Sequence, residues 1–81
     1  MRVSLEISKY PLKEEYGTPI LSFIDRLKSY PELHIKTNTM STQVFGDYDD
    51  VHRILHKEMR ESFDSPNTVV MVMKWVNADL E

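Results

Sequence analysis

The sequence contains no cysteine, so neither a disulfide nor a thiolate-held metal can reinforce its core. Long apolar runs are also missing. Met1 to Tyr10 alternate polar and apolar residues, which reads against a secretory leader, and no stretch approaches the length of a membrane span. Lack of cysteine fits a reducing compartment, and the expectation is a soluble, cytoplasmic protein without a membrane partner. Dense positive charge is absent too. Ten Lys and Arg stand against thirteen Asp and Glu, giving a net charge of −3, and the basic residues are scattered along the chain. Phosphate-backbone affinity needs locally concentrated cations, so nucleic acid is not an expected partner.

What remains is one domain, residues 1–81, with no repeat, low-complexity stretch or internal linker. A domain of this size buries only about 60% of the surface its unfolded chain exposes, so oligomerisation is the expected source of further burial.

Val3, Leu5 and Ile7 alternate with Arg2, Ser4, Glu6 and Ser8, the period of a half-buried strand. Tyr10-Pro11 should end it, and the segment through Gly17 reads as a loop. Thr18-Pro19 reads as a cap with proline at the first helical position, and Ile20, Phe23, Ile24 and Leu27 form one helical face that stops at Ser29-Tyr30-Pro31. From Leu33 the period returns to two, with Ile35 and Thr37 sharing its face and His34, Lys36 and Asn38 opposite. A third strand follows through Val44 and Phe45, after a reversal near Asn38 to Met40. Asp47 offers a cap for a second helix whose stripe is Val51, Ile54, Leu55 and Met59, extended by Phe63. Thr68 to Val76 is a β-branched final strand.

The order βαββαβ with right-handed split crossovers gives an α+β, ferredoxin-like domain. Its four-stranded antiparallel sheet has the order 4-1-3-2, with both helices on one face. The other face is uncovered in a lone protomer. The first two strands present polar residues there, but the last is apolar on both sides. A lysine is rarely buried, so Val70, Val72, Lys74 and Val76 are assigned to the open face, with Glu6 as a possible neighbour of Lys74. An exposed stripe of this kind suits a subunit interface more often than a ligand floor.

Topology brings Ser8, Tyr10, Asn38, Met40, Ser41 and Thr42, along with Thr37, to one end of the sheet, with Gln43 and Glu6 beside them. Trp75 lies at the other end, and only a second subunit could add it to the cluster. Hydroxyls and amides beside a tyrosine can read the edge and cover the face of a heteroaromatic ring. A polar turn using the same groups for local backbone bonds explains the composition equally well. The cluster holds no histidine and no close carboxylate pair, and no nucleophile has an adjacent base, so no enzymatic activity is expected. His52 and His56 have a metal-compatible spacing. No glutamate follows His52 and no third ligand is evident, so the pair reads as a solvated helix face, and neither a metal nor a cofactor is expected.

Ile7-Ser8-Lys9-Tyr10-Pro11-Leu12, the run from Thr37 to Tyr48 and the apolar last strand together resemble the YkoF-like thiamine and hydroxymethylpyrimidine-binding family over nearly the whole chain. The resemblance implies a ferredoxin-like domain that associates with other copies, as a dimer or tetramer, and holds thiamine or its hydroxymethylpyrimidine precursor as a bound ligand without turning it over. The family's polar motif falls on Tyr10, Asn38, Ser41, Thr42 and Gln43. An aminopyrimidine presents acceptors and a donor that such side chains satisfy, and Glu6 or the faces of Tyr10 and Trp75 suit a thiazolium cation. No Gly-rich loop or arginine pair is placed for a diphosphate, which favours thiamine over its phosphorylated forms. The alternatives are an assembly module with a structural hairpin, a regulatory sensor of unrelated ligand specificity, and RNA binding. The last lacks the basic glycine-aromatic core that this fold uses for RNA.

Overall fold

The structure, a computed structural model, describes residues 1–12 and 17–81. Its elements are β1 (Arg2–Pro11), α1 (Gly17–Lys28), β2 (His34–Thr37), β3 (Thr42–Asp47), α2 (Tyr48–Phe63) and β4 (Val69–Val76). They form one antiparallel sheet in the order β2-β3-β1-β4, which is the ferredoxin-like arrangement expected from the sequence.

The period-two pattern of β1 sorts its residues by face. Val3, Leu5 and Ile7 are buried against α1 and α2 together with Phe23, Leu27, Val44, Val51, Ile54 and Leu55. Burying each such side chain contributes on the order of 1.5–3 kcal/mol, which is why loss of register would be so costly. Register also settles β4. Leu5 stands opposite Trp75 and Ile7 opposite Met73, so Met71, Met73 and Trp75 share the helix side, while Val70, Val72, Lys74 and Val76 lie on the open face.

Three local readings need correction. Pro11 does not end β1, because it still pairs with Val69. The amide of the next residue, Leu12, donates to Thr68 O at 2.8 Å, so ladder alternation leaves Pro11 at a position where no donor to β4 is required. Helix α1 begins at Gly17, so Thr18 lies inside it by one residue; Pro19 is in the first turn, where a missing N–H is harmless. Part of the expected loop, residues 13–16, lies outside the described residues. Phe63 does not extend the buried stripe of α2: it is 50% exposed, because the helix stops there and Asp64 N turns back to Arg60 O. The stripe is completed instead by Glu58, 3% exposed, which accepts a hydrogen bond from the Tyr30 hydroxyl at 2.6 Å and lies 2.7 Å from Arg26 Nε.

The open face is not bare along its whole length. Residues 77–81 cross the end near Ser4, where the Ser4 hydroxyl donates to Ala78 O at 2.7 Å and accepts from Leu80 N at 2.8 Å. His34 pairs with Glu81, and Arg2 lies near Asp79 and Glu81. Phe45, which shares this face with His34 and Ser4, is only 4% exposed.

Candidate functional site

Strand β1 outlasts its neighbour. It pairs with β3 only as far as Ile7↔Thr42, but with β4 as far as Pro11↔Val69. The end of β1, the β2–β3 turn and α1 therefore enclose a cleft of about 510 Å³. Ser8, Tyr10, Asn38, Met40, Ser41 and Thr42 all line it, and so do Thr37 and Thr39. Sequence reasoning missed its apolar wall, which is Leu12, Ile20, Phe23 and Ile24. The apolar face of α1, which includes Ile20, Phe23 and Ile24, was the signal that could have found it.

The turn is built by its own polar groups. Asn38 Oδ1 accepts from the Met40 and Ser41 amides at 2.7 and 3.0 Å, and Asn38 N donates to Ser41 O at 3.1 Å. This is an Asx-type turn, for which no glycine is needed. Thr37 and Thr42 hydroxyls share a hydrogen bond of 3.2 Å, and the Ser41 hydroxyl donates to Glu6 Oε2 at 3.0 Å. Asn38 Oδ1 is thus committed to the backbone. The Asn38 amide group, the Ser8 and Tyr10 hydroxyls and the lone pairs of Ser41 are the polar groups that a ligand in the cleft could engage. Met40, 85% exposed, stands at the rim, whereas Thr42 is buried in the wall.

Glu6 and Gln43 are neighbours on the open face, one row along from Ser8. They line a separate hollow of about 290 Å³ with Phe45, Lys74, Val76 and Leu80. Lys74 Nζ lies 3.5 Å from Glu6 Oε1, the neighbour relation expected from the sequence.

Trp75 is at the opposite pole, away from the cleft of its own chain. Its ring stacks on His52, with centroids 4.5 Å apart, and His52 in turn meets Tyr48 at 4.2 Å. His52 Nδ1 lies 2.9 Å from Tyr48 O. His52 is therefore engaged in an aromatic stack. By spacing the sequence grouped His52 with His56 on a solvated helix face; the stacking of Trp75 from β4 on His52 was not legible. Among the described residues, no group of three His, Cys, Asp or Glu side chains is arranged to hold a metal. No helix among them is long and apolar enough to cross a membrane.

No protein-family profile and no curated protein matches the sequence. Solved structures do. A hypothetical protein of Methanocaldococcus jannascii superposes with a TM-score of 0.80 at 23% identity, over 99% of this chain and 84% of that one. A protein of Thermotoga maritima provisionally named for thiamine biosynthesis or salvage gives a TM-score of 0.82 at 16% identity, over 100% and 85%. A Bacillus cereus domain of unknown function gives 0.70 at 14%, over 98% and 78%. At such identities the likeness establishes the shared fold.

Proposed function

We propose that the hairpin cleft binds a flat nitrogen heterocycle, thiamine or its hydroxymethylpyrimidine precursor, and that the chain holds this ligand without transforming it. The observation that carries the reading is the convergence of Ser8, Tyr10, Asn38 and Ser41 on one cleft that is apolar on its α1 side. A pyrimidine edge needs a few fixed donors and acceptors, and its faces need apolar or aromatic cover. The resemblance to the YkoF-like family and the provisional name of the Thermotoga maritima protein point the same way.

The non-catalytic reading rests on the lining. Among the described residues it offers hydroxyls, an amide, Lys9 and apolar groups, with no imidazole or carboxylate to act as a base. The protein works in this reading as a carrier, buffer or sensor and associates with further copies. Exposed Val70 and Val72 on β4 supply an apolar surface for such contacts. Pairing could bring Trp75 of one copy toward the cleft of another, where an aromatic face over a cation contributes about 0.5–2 kcal/mol.

Titration calorimetry with thiamine and with hydroxymethylpyrimidine tests the proposal. Saturable heat with either ligand, weakened by Ser41→Ala and Tyr10→Ala, is expected. Folded protein that gives no heat at millimolar ligand would contradict it. One observation favours a second reading, an assembly module: Asn38, Ser41, Thr37 and Thr42 already bond within the protein. Substitutions at Ser41 that alter stability but leave ligand heat unchanged would support that reading.

A further inference from the structure

Glu6 stands between the two depressions on this side of the molecule. Its Oε2 accepts from Ser41, a residue of the cleft wall, while the carboxylate itself lines the hollow floored by Phe45. One hydrogen bond therefore connects the cleft to an anionic group on the open face. The opposite oxygen is already taken, since Lys74 Nζ lies 3.5 Å from Oε1. Register makes the two side chains neighbours, because Glu6 and Lys74 are directly opposed on β1 and β4 and share a face. Lys74 is also the one charged residue in the strand VVMVMKWV. Its side chain is 75% exposed, so water can replace the contact with little loss.

We infer that Lys74 is a resident competitor for Glu6 and sets the charge selectivity of the cleft. The inference rests on the ligand reading given above and adds to it a mechanism of discrimination. In the unliganded chain Glu6 is oriented by Ser41 and neutralised by Lys74. A ligand whose heterocycle sits in the cleft and whose cationic part extends along the open face takes over the carboxylate, and the lysine swings into solvent. A neutral ligand leaves the Glu6–Lys74 pair intact. Cationic ligands therefore bind by exchange, and part of their attraction to Glu6 is spent in displacing the lysine. Exposed ion pairs are weak, so this competition lowers cation affinity by up to about five-fold.

The test is the ratio of thiamine to hydroxymethylpyrimidine affinity, measured by calorimetry on the full chain at fixed ionic strength. Lys74→Gln should raise that ratio about three- to five-fold, and Glu6→Gln should lower it. In the Glu6→Gln background, Lys74→Gln should then have no effect, because nothing remains to compete for. Lys57→Gln, an equal charge change on α2, serves as the control and should leave the ratio alone. Circular dichroism and thermal midpoints confirm that each variant is folded. A ratio unmoved by Lys74→Gln while the pyrimidine still binds would overturn the exchange and leave the ligand reading standing. The same holds if Lys57→Gln matches the Lys74→Gln effect, which would reduce it to net charge. Folded protein that binds neither ligand would overturn both.

Discussion

Gly46 illustrates how a single atom constrains this core. A Cβ there would lie 3.1 Å from both Leu33 Cδ2 and Val51 Cγ2, which is closer than such atoms normally approach. No positive φ is involved, so the glycine suits the close approach of Leu33 and Val51 to β3 and not a backbone conformation. Gly46→Ala should destabilise the fold by about 1–3 kcal/mol, seen as a lower urea midpoint with an unchanged slope. Charged residues at the surface act more gently. Arg53 hydrogen-bonds Glu32 at 2.8 Å and holds its carboxyl below the usual range, and a hydrogen bond from the terminal amine of Met1 does the same for Asp47. A carboxyl depressed by folding stabilises above its unfolded pKa, and that contribution fades as pH falls through the folded value. Thermal midpoints should therefore decline below about pH 4.5, and Arg53→Gln should make the decline shallower.

At the scale of elements, Arg26 ties the two helices across their apolar seam, lying 2.7 Å from Glu58 and 3.8 Å from Glu61 of α2. Glu58 on α2 meets Tyr30 beyond the end of α1, and Arg26 lies within ion-pair distance without an aligned hydrogen bond to Oε1. Removing the cation leaves a buried carboxylate with a phenol alone. Arg26→Ala should cost about 1–3 kcal/mol in chemical denaturation. The Tyr30 pKa is raised, first by its hydrogen bond to Glu58 and then by burial. A phenol whose folded pKa is raised stabilises fully below about pH 10, and the contribution is lost as pH rises through the folded value, so Tyr30→Phe should lose stability less steeply than the parent above about pH 10, read as a shallower fall of the thermal midpoint. Most elements were legible from period and caps. Alternation fixed β1, Lys74 decided the faces of β4, and Asp47 capped α2 as its position suggested. Glu58 was not legible, because a carboxylate in a helical stripe reads as solvent-facing until Arg26 and Tyr30 arrive from another element. The same holds for residues 77–81, which have no periodicity; Ser4 holds Ala78 across 74 positions of sequence.

For the whole molecule, the open sheet face divides into a half covered by residues 77–81 and a half that carries Tyr10, Val70 and Val72 in the open, with Val72 57% exposed. Topology alone was enough to gather the cleft's polar residues from distant strands. It could not give the internal bonds that commit Asn38 and Ser41, since these depend on turn geometry. If the uncovered half meets a second copy, Val72→Glu should shift the chain to monomer in light scattering coupled to size exclusion, while the fold survives because that side chain lies outside the core. An unchanged mass would remove β4 from the interface. The most direct test of the cleft itself is an amide NMR titration with hydroxymethylpyrimidine. Shifts concentrated on Ser8, Tyr10 and residues 38–42 are expected. No shifts at saturating ligand, or shifts gathered on His52 and Trp75 instead, would contradict the assignment.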